Sequence, residues 1–545
     1  MNGWNKHLSP PCSFLPIIFF LFMGAMLLNM GLSAQDFRRF EKKPVPKQPP
    51  REFQFIAYFY NQMVMNNIFA QNDFLNGQTV GRLFGKNTTT TAPFESYYFE
   101  QRILPFFILQ PKLMDGRAVL RASFEIDWTW GDRNYSVGGN TGSAFNADQV
   151  NIQTQNVELE LIPFKGVAVQ LGLQRLFDTP YNPYRTFFST MTNTGYRLAF
   201  WGSDAVGISA RYDRDFHRSR VGYYQLYENS IQKKDDVVLW EAIHERDLTP
   251  TWRQGVSLWW VQDRANGVGG VSILGQGLNS LLNDYNGTFR FPLGNGPQKP
   301  YKADIYWLGT FWHRNAEFDL GRWMLSGFVI TNQGKVKVIP KNGGETETTD
   351  ISGWAGNLRA GYRYGQTAED IITLDLLYTS GDEDTLSDQK YSGVITGNTW
   401  GSPGAIFISH GSYLLMPHGN VVNRYVAAVN DISNLGLGLS YAALGIHKDI
   451  IPHKLSVRVG GSLGFSQVAP PKGGKEIGKE LNFRLSYQPR VFMNIELHAA
   501  YLWLGDFFRS STVNGVQERP GDPPLETEKP NNPWTVFLAF KWLMF

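Results

Sequence analysis

The stretch Ala118–Asp132 reads AVLRASFEIDWTWGD. Every even position up to Trp130 is apolar: Ala118, Leu120, Ala122, Phe124, Ile126, Trp128 and Trp130. The odd positions carry Val119, Arg121, Ser123, Glu125, Asp127 and Thr129. A period of two over this span is a β-strand with one apolar and one charged face. At about twice the usual ~5–6 residues of a soluble strand, it raises the question of what covers the apolar face.

The first residues bear on that question. MNGWNKHLSPPCSFLPIIFFLFMGAMLLNMGLSAQ has a positive start (Lys6), an apolar run from Phe14 to Leu28 and small residues at GLSA. This is the layout of a secretory signal peptide over 1–34, cut between Ala34 and Gln35; the apolar run is shorter than the ~20 residues of a membrane span. Cys12, the sole cysteine, precedes the apolar run and leaves with the signal, so disulfides and thiolate metal sites are excluded from the remainder. Residues 35–52, with EKKPVPKQPP at Glu41–Pro50, read as an extended periplasmic linker with no partner-binding motif.

The chain has 55 Gly, 16 Trp, 24 Tyr and 38 Phe, at a mean hydropathy of −0.27. An exported chain that is rich in aromatics and glycine yet only averagely hydrophobic fits a transmembrane β-barrel, half of whose side chains face water. A net charge of +3 argues against a nucleic-acid partner.

Strands are expected at 53–64, 97–109, 117–131, 150–162, 166–177, 204–213, 219–229, 237–246, 252–263, 302–314, 321–333, 352–364, 370–380, 425–445, 454–466, 478–488, 492–506 and 534–545. Short turns (PKLMDGR, PFKG, DLTPT, NAEFDLG, PHK, QPR) alternate with long connections, among them 178–203, 264–301 and 381–424. Both ends of an outer-membrane barrel lie in the periplasm, so the strand number is even and short and long joins alternate strictly. Joining YRLAFWG to the loop before it satisfies both conditions. The expected fold is all-β, a transmembrane antiparallel barrel over 53–545 with about eighteen strands, or sixteen if 53–64 and 425–445 are not strands. The closing WTVFLAFKWLMF ends on aromatic Phe545, the kind of terminus that the barrel-assembly machinery reads as a partner. The apolar face of the opening strand then meets outer-membrane lipid, with Trp128 and Trp130 in an aromatic girdle. A secreted β-sandwich or propeller would have shorter strands.

If the even positions face lipid, the odd ones line a lumen. The same test elsewhere yields six inner arginines, Arg121, Arg211, Arg359, Arg363, Arg458 and Arg484, against seven inner acids, Glu125, Asp127, Glu158, Glu160, Asp375, Glu480 and Glu496. Guanidinium groups bind carboxylates and phosphates through a fixed fork, and carboxylate rings favour cations. A mixed wall can also pair its own charges across strands. In GDEDTLSDQ the acids Asp382 and Asp384 offer oxygen ligands for calcium, but the spacing matches no full calcium loop.

The hairpin GKELNFRLSYQPRVFMNIELHAAYLWLGDFF (478–508) resembles the C-terminal hairpin of alginate-export-type outer-membrane porins through Gly478, Glu480, Gly505 and Asp506. Ser380, Gly381 and Asp382 are similar to that family's Ser-Gly-Asp strand end. Gly172, Leu173, Gln174 and Arg175 stand where the family has Gly-Arg-Gln, with the arginine displaced. The resemblance implies an eighteen-stranded monomeric barrel passing an extended solute.

The expected function is therefore a loop-constricted porin, for diffusion or export of polar solutes including anions and oligosaccharides, working without a cofactor or catalysis. The alternatives are a surface adhesion protein and a barrel hydrolase. For the hydrolase, His217 with Asp213 and Asp215, or His244 with Glu245, can be posed as a base and its orienter. No His-Glu-x-x-His motif occurs. Fewer than 50 residues precede the first strand once the signal is removed, which leaves no room for the plug domain of a TonB-type transporter.

Overall fold

Alternation of apolar and polar side chains carries eighteen strands of 9 to 16 residues around one closed sheet. The computed structural model describes residues 52–70, 79–84, 88–92, 95–130, 150–175, 204–214, 216–227, 237–264, 301–315, 318, 320–338, 348–367, 369–383, 389–395, 411–418, 424–429, 432–514 and 523–544. The expected signal peptide, nearly all of the linker, and Phe545 lie outside them.

The strands are β1 (Phe53–Asn66), β2 (Ser96–Leu109), β3 (Ala118–Trp130), β4 (Val150–Phe164), β5 (Val167–Arg175), β6 (Asp204–Arg214), β7 (His217–Tyr227), β8 (Val237–Asp247) and β9 (Trp252–Asp263). They continue with β10 (Tyr301–Arg314), β11 (Trp323–Val338), β12 (Thr348–Arg363), β13 (Ile371–Thr379), β14 (Leu439–Ile451), β15 (Leu455–Ser466), β16 (Glu476–Arg490), β17 (Met493–Leu504) and β18 (Trp534–Met544). Each is antiparallel to the next. β1 pairs with β2 on one side and with β18 on the other, from Ala57↔Met544 to Asn66↔Thr535. Closure leaves no edge with unpaired backbone groups, the condition for a sheet to sit in hydrocarbon. Among the described residues no helix is long and apolar enough to cross a membrane.

The expected short turns close one end of the barrel. At the first, Asp115 and Gly116 adopt φ of 48° and 74°, a left-handed pair that these two residue types tolerate. The two faces of the sheet sort as the period of two requires. Leu120, Leu258, Leu308, Leu463 and Leu538 are 41–58% exposed on the outside, whereas Ser123, Asp127, Glu480 and Asn482 are buried on the inside. Trp128 lies on the outward register of β3, and the side chain of Trp130 lies outside the described residues.

Two expectations are corrected. The strand expected at 425–445 is two pieces with different addresses: Arg424–Ala427, which pairs in parallel with Thr79–Arg82, and the wall strand β14, which starts at Leu439. Both pieces are rich in strand-forming residues, and the turn at 432–437 between them is what separates them.

The inner face is also not polar throughout. On β8–β11 the inward residues Leu239, Trp259, Val261, Ile305, Trp307, Phe311, Phe328 and Ile330 are at most 1% exposed. They adjoin across strands, with Leu239 opposite Val261, Val261 opposite Ile305, Trp259 opposite Trp307 and Phe311 opposite Phe328. The Phe311 ring lies over Gly255, where a Cβ would fall 2.1 Å from the ring tip. At these positions the wall is apolar on both faces, because Trp240, Val256 and Tyr306 face outward from the same strands.

Candidate functional site

The inner wall divides into this apolar arc and a charged remainder. Most of the expected wall residues meet one another in the charged part, because cross-strand register sets long side chains side by side. On β3–β6, Arg121 reaches Glu158 at 3.1 Å and Glu160 at 3.0 Å. Arg211 lies 3.4 Å from Glu160 and 2.7 Å from Asp213. Gln170 completes the group by donating to Glu160 at 3.2 Å. Asp127 accepts a two-pronged contact from Arg102, Nε at 2.8 Å and Nη2 at 2.7 Å. Arg359 and Asp375 stand directly opposite on β12 and β13 and pair at 3.1 Å, with Asn357 donating to the same acid at 2.8 Å.

Two wall arginines were not among those expected. Arg102 shares the inward face of β2 with Tyr98, Glu100 and Leu104, and Arg220 that of β7 with Gly222 and Tyr224. The alternation that would have found them is present in both strands. Arg220 pairs with Glu241 at 2.9 Å and donates to Tyr224 Oη at 2.7 Å. Arg363 leaves the wall network: at the short-turn end its guanidinium sits 4.7 Å above the Phe318 ring. The Glu125 side chain lies outside the described residues, as does Asp384. Asp382 is buried and accepts the Ser392 N–H at 2.7 Å. That contact braces a loop, and among the described residues no group of acids and histidines is disposed to hold a metal.

Other wall residues hold polypeptide that folds inward. The long connection between β13 and β14, together with the one between β1 and β2, sends segments against the inner wall. Lys390–Tyr391 adds in parallel to Asp350–Ile351. Trp307 Nε1 donates to the Ile395 carbonyl at 2.6 Å, and Ile395 N–H donates to Asn332 Oδ1 at 3.0 Å. Thr79–Arg82 flanks Arg424–Ala427, and the Ala428 and Val429 N–H groups donate to the Leu414 and Leu415 carbonyls at 2.7 and 3.0 Å. Leu414, Leu415 and Met416 are at most 2% exposed.

Glu480 fixes this layer. One of its oxygens accepts the Tyr413 N–H at 2.7 Å and Asn482 Nδ2 at 2.8 Å; the other accepts the Leu414 and Leu415 N–H groups at 2.9 and 2.7 Å. A carboxylate bonded to three successive backbone donors is an anchor, and none of its acceptor capacity is turned toward a passing solute. Ser412 bonds Ser462 at 2.6 Å and Tyr441 at 2.8 Å. Beside them the Phe537 ring is stacked between His498 at 4.3 Å and His418 at 5.4 Å. Burial, with His498 and Lys541 nearby, pushes His418 in the inward segment down to about 3, so it is neutral at pH 7. Glu496 is held by Lys541 at 2.7 Å, His498 at 2.9 Å and Asn494 at 2.7 Å.

At the short-turn end Arg484 reaches Glu369 at 3.3 Å, and Lys448 reaches Asp370 at 2.9 Å. The His447 contact and the Arg484 guanidinium hold Glu369 below the usual carboxylate range, and Lys448 does the same for Asp370.

The posed hydrolase pairs are not assembled. Asp213 shares the inward register with Arg211, whereas His217 shares the outward register of β7 with Ser219 and Val221. His244 faces outward, bonded to Ser219 at 2.8 Å, while Glu245 on the opposite face of β8 is fully buried. Asp215 lies outside the described residues.

No protein-family model and no curated protein matches the chain. Among solved structures it is similar to a BenF-like porin from Pseudomonas fluorescens Pf-5, at 10% identity and a TM-score of 0.44, covering 90% of this chain and 98% of that one. It is also similar to OccK2 (OpdF) of Pseudomonas aeruginosa, solved in complex with glucuronate, at 11% identity and a TM-score of 0.43 over 91% and 97% of the two chains. OpdQ of P. aeruginosa matches at 9% identity and a TM-score of 0.43 over 90% and 97%. Likeness at this level carries nothing about substrate.

Proposed function

We propose that this chain is an outer-membrane channel of a Gram-negative-type bacterium that passes small polar solutes, carboxylates among them, and works without catalysis. One observation carries the reading: a closed eighteen-strand wall, apolar outside, encloses a charged inner arc beside segments folded in from the long loops. An open barrel of this size is a wide aqueous pore, and polypeptide folded in from the loops narrows it. Arg121, Arg211 and Arg484 keep 17–25% of their side chains exposed along that arc, which favours anions. The 1–34 export signal, the 35–52 linker, assembly as a monomer by the barrel-assembly machinery, and kinship with alginate-export-type porins belong to the same proposal. The kinship rests on the sequence resemblance at Gly478, Glu480, Gly505 and Asp506.

The test is single-channel conductance of the refolded chain in a planar bilayer, with the reversal potential read under a salt gradient. Small, stable steps with anion preference are expected. Cation preference would remove the anionic solutes from the proposal. Absence of conductance from barrels that are folded by heat-modified mobility would overturn the channel reading itself.

A further inference from the structure

We infer that the inner wall carries an anion-binding station at Arg458 and Arg484 that takes solute carboxylates; this rests on the channel reading above. Strands β14–β18 set His447, Arg458, Arg484, His498 and Phe537 in one row, each directly opposite the next. Two arginines are therefore neighbours across the β15–β16 pair, an arrangement that costs stability when nothing lies between their charges.

The other buried arginines among the described residues each have an acid: Arg102 with Asp127, Arg220 with Glu241, Arg359 with Asp375. Arg458 has none. It is 3% exposed, and its Nε and Nη2 are buried without a hydrogen-bond partner. Arg484 Nε and Asn482 Oδ1, next to it on the wall, are also unmatched. The acids nearby are committed elsewhere. Glu480 is bonded to the backbone of 413–415, Glu496 to Lys541 and His498, and Glu369 to Arg484 with His447 at 3.8 Å. A guanidinium taken out of water with no counter-charge is among the costliest groups a protein can bury. An anion between the two arginines would match the free donors.

The wall is cut to admit this arrangement. Gly445 and Gly460 stand opposite each other beneath the Arg458 side chain. A Cβ at Gly460 would fall 2.9 Å from Arg458 Nη2 and 2.6 Å from Asn482 Oδ1, and one at Gly445 would fall 3.2 Å from Arg458 Nε. Glycine at both positions leaves room for the Arg458 guanidinium over the wall, where a Cβ would crowd it. Arg484 is 23% exposed, so the station opens to the lumen on that side. It lies at the foot of the inward layer, where Asn482 Nδ2 also holds the Gly411 carbonyl at 2.7 Å. The fork of a guanidinium matches the two oxygens of a carboxylate, which sets the ligand class.

The experiment measures glutarate binding to the full-length refolded chain by calorimetry, together with glutarate block of the current in planar bilayers. The variants are Arg458→Gln, Arg458→Lys, Gly460→Ala and, as a control with the same loss of charge on an exposed loop, Arg509→Gln. Loss of charge-assisted contacts should weaken binding by Arg458→Gln roughly tenfold or more. Arg458→Lys, which keeps the charge and loses the fork, should fall between it and the parent, and Arg509→Gln should match the parent. If Arg458→Gln binds and is blocked as the parent is while both conduct, the station is overturned and the channel stands. If neither conducts but only the parent binds glutarate, the station stands and the channel reading falls. Should Arg458→Gln not fold, Arg458→Lys and Gly460→Ala decide: parent affinity in both overturns the station.

Discussion

Replacing Glu480 by Gln tests whether the inward layer is what narrows the lumen. The carboxylate takes four hydrogen bonds, two on each oxygen. A glutamine keeps one oxygen and turns an NH2 group toward the donors that the other served, so two contacts are lost. At about 1.5–3 kcal/mol for each hydrogen bond to a charged group, the layer loses about 3–6 kcal/mol of anchoring. That shifts the balance between a seated and a released segment by about two to four orders of magnitude. The wall strands keep their own ladders, so the barrel should still fold and show normal heat-modified mobility. In planar bilayers the variant should open to larger and noisier conductance steps. A protease added on the long-loop side should cut within 411–418, where the parent resists. A conductance histogram and a cleavage pattern identical to the parent's would refute the anchoring argument, since Glu480 holds three successive backbone donors of the segment.

Breaking the buried pair by Arg359→Gln or Asp375→Asn should destabilise the barrel by about 3–5 kcal/mol in urea titrations, with the double variant recovering part of the loss; additive effects would deny the pair. Leu258→Arg, on the outer face, should cost about 2–4 kcal/mol in vesicles, and no cost would place that residue away from lipid. Trp307→Phe removes the donor to Ile395 and should loosen 394–395 by about 0.5–1.5 kcal/mol, read as faster amide exchange there and not in β10. Glu369 and Asp370 are both depressed in the folded state, so their stabilisation is present above the unfolded carboxylate range and lost as pH falls through the folded values. Cleavage in the 364–370 turn should therefore rise below about pH 4; a rise on the alkaline side alone would contradict the sign.

Fold and wall were legible in the sequence to different degrees. Strand positions follow from the period of two and the turn residues, both local, and parity then settles the count. The site residues on the wall are also local, and Arg121, Glu158, Glu160 and Arg211 meet as their shared face requires. Their roles were not legible. Whether Glu480 faces solute or backbone depends on a segment some 65 residues earlier in the chain. The piece at 424–427 is a strand by composition, and only tertiary pairing with 79–82 places it inside the barrel. The apolar arc had a signal in SLWWV and DIYWLGTFW, where alternation fails because both faces are apolar, the pattern of a strand buried on both sides. Assuming a wet lumen throughout concealed it.

The stack of His498, Phe537 and His418 has a consequence for the order of assembly. Phe537 belongs to the last strand, and that strand seats itself by pairing with the first, across nearly the whole length of the chain. Such a distant contact forms late, because so much chain must be brought together first. Until it forms, the shelf on which His418 rests is missing, and the segment from 411 to 418 lacks one side of its seat. Sealing the wall and filling the interior are thus one event. A chain caught before that step exposes a greasy open trough, and a chain past it is both shut against lipid and already narrowed within.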